Sequence, residues 1–241
     1  MKAGSRPRVF VALDFDDATA ALSLAGLLDP RACGVKIGSE LFTVAGPELI
    51  RAMVERRFKV FLDLKFHDIP NTVGRACAAA TGLGVWMMNV HAAGGRAMLT
   101  AAREAVDQAA HRTSIPTPRL IAVTVLTSLD GAALSEVGQG DSASAQALRL
   151  AGLARDSDLD GVVCSAAEAR SMRDRFGDAF LLVTPGIRPA DAGSDDQSRI
   201  ATPQAAIANG ADYLVVGRPI TRAADPVAAL AQINRELDIE R

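Results

Sequence analysis

DLKFHDIPNT, residues 63–72, follows directly on the apolar run Lys59–Leu62 and brings Asp63, Lys65 and Asp68 within six positions of one another. Read as a strand, Val60 to Phe66 alternates its side chains between two faces. Asp63 and Lys65 then share one face, and Leu62, Leu64 and Phe66 share the other. Two carboxylates around one ammonium form a compact charge cluster, which folding does not ordinarily bury without a use for it. The cluster reads as a catalytic centre at the C-terminal end of a strand.

The same arrangement recurs along the chain. Short β-branched apolar runs occur at Val9–Phe15, Gly34–Gly38, Lys59–Phe66, Met87–Ala92, Leu120–Leu126, Gly161–Ser165, Phe180–Thr184 and Tyr213–Gly217. Between them lie Ala- and Leu-rich stretches that predict helices, such as Asp17–Leu28, Ser39–Arg57, Gly95–His111, Ala143–Ala154 and Pro226–Leu237. Eight such runs in 241 residues argue for a single-domain (β/α)8 TIM barrel spanning 1–241, with residues 1–7 as a flexible tail. The alternative is an open doubly wound sheet. VALDFDDAT, residues 11–19, stands at the end of the first run and just beyond it, where a dinucleotide fold would carry GxGxxG, which counts against a nucleotide-cofactor domain.

Composition narrows the function. A hydrophobic fraction of 49% can fill a large core, and a net charge of -2 leaves no basic footprint for nucleic acid or an anionic membrane. No membrane-spanning or signal-peptide run is present. Cys33, Cys77 and Cys164 are widely spaced and form no CxxC pair, in keeping with a reducing cytoplasm. The expectation is a soluble cytoplasmic protein.

In a barrel of this kind the chemistry sits at the C-terminal ends of the strands. Asp14 ends the first run, Lys36 lies in the second, Asp63 and Lys65 in the third, Asn89 and His91 near the end of the fourth, and Thr127 and Ser128 after the fifth. Lys36 stands in the apolar context GVKIG, where an unpaired ammonium is costly and a carboxylate or ligand partner is favoured. His67, His91 and His111 show no HxxxH or HExxH spacing, so no metal site is expected. His67 shares the face of Asp63 and Lys65 only if the strand ends by Phe66. TPGIRP and GRP, after the last two strands, join Gly186 and Gly217 to Arg188 and Arg218. Glycine lets the backbone approach an anion and arginine adds charge-assisted bonds, so these segments predict a phosphate site. Gly138–Ser142 and Gly186–Ser198 are the most loop-like segments, and the second is a candidate lid.

With DLKFHDIPNT, VKIG, NVHAAGG, VTVLTS, TPGIRP, DDQSRIATP and VVGRPIT in order, the chain closely resembles the bacterial-type orotidine 5'-phosphate decarboxylases from about Val9 to Ala229. The resemblance implies decarboxylation of orotidine 5'-phosphate to uridine 5'-phosphate and CO2, the last step of de novo pyrimidine biosynthesis, with no cofactor. It implies that Lys65 protonates the carbon left by CO2 and that Asp63 and Asp68 alternate with Lys65 and Lys36 in a charged array. It places the element Asp63, Leu64, Lys65, Phe66, His67, Asp68, Ile69, Pro70, Asn71 and Thr72 at the substrate. Asp68, Ile69 and Thr72 would cross a homodimer interface into the neighbouring site. Asp14 and Lys36 would contact the ribose, Thr127 the pyrimidine, and Arg188, Gln197, Gly217 and Arg218 would form the phosphate and lid positions.

The chemistry agrees with the residues. A carbanion formed without an electron sink needs a preorganised cation and then a proton, and Lys65 can supply both, with carboxylates on either side favouring its ammonium form. Two rivals remain. A sugar-phosphate decarboxylase or aldolase-type synthase of the same superfamily shares Asp-x-Lys but uses Mg²⁺, and HDIPNT with TPGIRP favours orotidylate over it. A non-catalytic phosphate-ligand barrel would not need Lys65.

Overall fold

The computed structural model describes residues 7–139, 142–188 and 201–238. The expected N-terminal tail, apart from Pro7, lies outside them, as does the expected lid beyond Arg188, including Gln197. Gly140 and Asp141 of the other loop also lie outside.

Eight parallel strands close on themselves in chain order: β1 (Val9–Ala12), β2 (Gly34–Gly38), β3 (Val60–Phe66), β4 (Met87–His91), β5 (Arg119–Val123), β6 (Gly161–Val163), β7 (Leu181–Thr184) and β8 (Tyr213–Val216). Closure is made by β1 against β8, with Val9 beside Leu214 and Val11 beside Val216. A closed ring removes both sheet edges and excludes the open-sheet alternative. Several strands stop short of their apolar runs, because the backbone leaves the ladder before the hydrophobic residues end. Asp14 and Phe15 lie beyond β1, and Val125 to Thr127 lie beyond β5.

Alternation along each strand divides the core into two layers. Phe10, Ala12, Phe61, Met87, Ile121, Val183, Tyr213 and Val215 fill the barrel interior. Val9, Val11, Val35, Ile37, Val60, Leu62, Met88 and Val90 face outward against the helices. Phe10 is the hub of the interior, stacked on Trp86 at 5.6 Å and edge-on to Phe61 at 5.8 Å and Tyr213 at 5.7 Å. Each such fully buried large side chain contributes about 1.5–3 kcal/mol.

The expected helices are present as Ala18–Leu27, Ser39–Glu55, Gly95–Thr113, Ala143–Arg155 and Pro226–Asp238. The second is not continuous. Gly46 adopts φ 64 and ψ -163, and Pro47 starts a new helical segment after it. Glycine takes that conformation without a Cβ clash, while proline supplies the preset φ of a first helical turn. Two further helices, Pro70–Gly82 and Ala166–Phe176, join the outer layer. The first opens on Pro70, after three residues that follow β3, with the proline in its first turn. Among the described residues, no helix is long and apolar enough to cross a membrane.

Candidate active site

The C-terminal end of β3 departs from a regular strand. Leu62 pairs with Met88 and Phe66 with Val90, so Asp63, Leu64 and Lys65 stand opposite Asn89 alone. Lys65 itself adopts φ 52, a left-handed conformation that a non-glycine residue holds only when its surroundings enforce it. Asn89, fully buried on β4, provides that enforcement. Its Oδ1 accepts the Lys65 backbone N–H at 2.8 Å, and its Nδ2 donates to Asp63 Oδ1 at 2.7 Å. Asp63 and Lys65 face the barrel interior, and Lys65 Nζ donates to Asp63 Oδ1 at 2.8 Å. Leu64 and Phe66 face the other way, against the outer core.

The neighbouring strands extend this pair. In the β2–β3 register Gly38 lies beside Asp63, which brings the side chain of Lys36 to the same end of the barrel. Lys36 Nζ is 3.5 Å from Asp63 Oδ2 and donates to Asp14 Oδ1 at 3.0 Å. The order Asp14, Lys36, Asp63, Lys65 thus alternates in sign around the wall. Burial pushes the Asp63 carboxyl up, but the ammonium groups of Lys36 and Lys65 and hydrogen bonds from Lys65 and Asn89 outweigh it, leaving the group below its ordinary value of 3.8. Asp63 is therefore a carboxylate throughout the physiological range. The Lys36 side chain is only 10% exposed, so the pairing expected from its apolar context is met by two carboxylates.

These residues line a cavity of about 270 Å³ at the C-terminal mouth, at the lower end of small-molecule sites. Thr127, Gly186, Arg188, Gly217 and Arg218, which follow β5, β7 and β8, complete its lining. Arg188 is buried, and its backbone N–H donates to Ala201 O at 3.0 Å, so the chain returns to the barrel beside the point where it left. Gly217 precedes the single-turn helix Arg218–Thr221. A Cβ at Gly217 would lie 3.6 Å from both Ala12 Cβ and Asp14 Oδ2, in ordinary contact, so glycine here leaves room in the cavity and relieves no clash. The mouth joins the arginines that follow β7 and β8 to the alternating charges of Asp14, Lys36, Asp63 and Lys65, which suits an anionic ligand.

The rest of the DLKFHDIPNT element is elsewhere. His67, Asp68, Ile69, Pro70, Asn71 and Thr72 are exposed and do not line this cavity. Asp68 Oδ1 accepts the adjacent Ile69 N–H at 2.6 Å, and Ile69 is 65% exposed. In one chain, then, the charged cluster consists of Asp63 and Lys65 with Lys36 and Asp14, and not of Asp63, Lys65 and Asp68. His67 leaves the strand face and stacks on His91, with ring centroids 5.2 Å apart at 16°. Burial, the facing His67 ring and Lys65 hold His91 below its ordinary pKa. Among the described residues, no three His, Cys, Asp or Glu side chains converge as a metal-ligand set. Asn89 was visible in sequence only as a polar residue near a strand end. The missing signal was the register shift that sets it opposite three residues of β3.

The sequence pattern of the Orotidine 5'-phosphate decarboxylase / HUMPS family matches residues 7–233. A protein of Nitrosospira multiformis named orotidine 5'-phosphate decarboxylase is 56% identical over 232 residues, covering 96% of this chain and 94% of its own. One of Halorhodospira halophila with the same name, that of a carboxy-lyase, is 59% identical, covering 96% of each chain. The crystal structure of orotidine 5'-phosphate decarboxylase from Lactobacillus acidophilus is 41% identical and superimposes with a TM-score of 0.85, covering 97% of this chain and 100% of that one. By full-length sequence and by fold, the chain belongs to the orotidine 5'-phosphate decarboxylase / HUMPS family.

Proposed function

We propose that the protein decarboxylates orotidine 5'-phosphate to uridine 5'-phosphate and CO2, closing pyrimidine nucleotide synthesis in the cytoplasm. The observation that carries this reading is the Lys65 ammonium, 2.8 Å from Asp63, in a cavity that Arg188 and Arg218 also line.

In this reading the phosphate is gripped by Arg188, Arg218 and the backbone at Gly217, with Gln197 from the segment between them. Asp14 and Lys36 meet the ribose hydroxyls and Thr127 the pyrimidine. Phosphate binding energy, remote from the reacting carbon, orders the mouth and excludes water. The substrate carboxylate lies beside Asp63. The C6–carboxylate bond breaks, its electron pair stays on C6, and CO2 departs. The Lys65 ammonium faces the developing charge and then gives its proton to C6, and the resulting amine is reprotonated from solvent. These groups are fixed before the substrate arrives, so little reorganisation accompanies the charge as it forms. The step calls on no metal or organic cofactor.

The active unit in this reading is a homodimer. Asp68, Ile69 and Thr72 are exposed on their own chain, with Ile69 an apolar side chain 65% open to solvent, and they would complete the partner's site. The adjoining His67, Pro70 and Asn71 would accompany them, while Leu64 and Phe66 support Lys65 from behind.

The test is an ultraviolet assay of orotidylate loss in the presence of chelator. Turnover unaffected by chelator is expected. Activity abolished by chelator, or turnover of a keto-sugar phosphate in place of orotidylate, would overturn the reading in favour of the Mg²⁺-dependent branch of the superfamily.

A further inference from the structure

We infer that Asn89 is a positioning residue that aims Lys65 and Asp63 at the reacting carbon. It faces three β3 residues across the register shift, and its one amide makes two bonds that do different work. The Oδ1 acceptor, 2.8 Å from the Lys65 backbone nitrogen, anchors the residue whose φ is 52. The Nδ2 donor, 2.7 Å from Asp63 Oδ1, shares that oxygen with Lys65 Nζ at 2.8 Å. The Asp63 oxygen thus accepts from the Asn89 amide on one side and from the Lys65 ammonium on the other. As the Lys65 proton passes to C6, Asn89 holds the carboxylate in place.

Asn89 is fully buried and is not among the residues lining the cavity, so it acts through its neighbours. A leucine of similar size would fill the space and make neither bond. The Lys65 backbone would be free to relax towards an ordinary strand, and the ammonium would move with it. Misplacement of a reacting group by about 1 Å costs about 100-fold in rate.

The inference rests on the decarboxylase reading, and the experiment separates the two. Wild type, Asn89→Leu and Asn89→Asp are compared for kcat and KM with orotidine 5'-phosphate across pH, and for titration of the Asp63 carboxyl by carbon NMR in the ligand-free protein. Asp63 is faced by Lys36 from β2, Lys65 from its own strand and Asn89 from β4, with Asp14 behind Lys36 and His91 near Lys65.

For Asn89→Leu, kcat should fall about 100-fold with KM changed less than about threefold, because the two Asn89 bonds go to Lys65 and Asp63 and not to the arginines of the phosphate grip. Asn89→Asp keeps the acceptor and the shape but loses the donor. It should be slow at neutral pH and recover as the pH falls, because the protonated new carboxyl donates to Asp63 again. Asp63 should titrate at higher pH in Asn89→Leu than in wild type. Native kcat in both variants, a pH profile of Asn89→Asp parallel to that of wild type, or an unmoved Asp63 titration would each overturn the inference. Inert wild type would sink the decarboxylase reading alone, leaving the Asp63 titration to decide the role of Asn89. If Asn89→Leu does not fold, the near-isosteric Asn89→Asp supplies both readouts.

Discussion

Lys36 Nζ lies 3.5 Å from Asp63 Oδ2, an ion pair between adjacent strands in which the two side chains are 10% and 14% exposed. Burial alone would raise the Asp63 carboxyl, and Lys36 is the largest of the influences that lower it. A carboxyl held below its unfolded value contributes stability that is present above about 3.8 and is lost as pH falls through the lower folded value. Replacing Lys36 by methionine should move that loss to higher pH. Urea unfolding between about pH 3 and pH 6 measures it. An acid limb unchanged from wild type would show that Lys65 and Asn89 hold Asp63 unaided.

Lys65→Ala should abolish turnover while leaving a phosphorylated ligand bound. Calorimetric titration with uridine 5'-phosphate should give an affinity within about tenfold of wild type, since the arginines are untouched. Retained decarboxylation would remove Lys65 from the proton-donor role and favour a binding barrel.

Arg218→Ala should raise KM for orotidine 5'-phosphate by about 10–100-fold, the equivalent of about 1.4–2.8 kcal/mol from a lost charge-assisted contact. The same variant should handle orotidine, which lacks the phosphate, as wild type does. Equal damage to both substrates would place Arg218 outside the phosphate grip.

Lys65→Ala and Asp68→Ala chains should each be inactive alone and recover part of the activity when mixed, because a hybrid dimer holds one site with both residues native. No recovery, with subunit exchange verified by mass spectrometry, would confine each site to one chain.

Much of this architecture was legible from alternation. Asp63 and Lys65 fall on one face of β3 and Leu64 on the other because side chains two apart on a strand share a face, and each of the eight apolar runs overlaps a strand. The apolar setting of Lys36 likewise pointed to a carboxylate partner, found as both Asp14 and Asp63. Hidden features depend on backbone geometry that residue types do not encode. A lysine at φ 52 has no sequence signature, and neither does a buried asparagine facing three residues across a shifted register. Gly46 and Pro47 sit inside an otherwise helical pattern, and their kink was readable from residue type but overridden by the surrounding periodicity. Asp68 looked like part of one cluster because it is near Lys65 in sequence. The turn into the helix beginning at Pro70 takes it out of the cavity.

The aromatic cluster of Phe10, Phe61, Trp86 and Tyr213 has a consequence for traffic. Its rings pack the interior of the barrel between the strands. In the proposed reaction that packing favours departure of the gas released at C6 through the mouth by which the nucleotide entered. Departure of CO2 and loosening of the nucleotide's hold on the rim then share one gate.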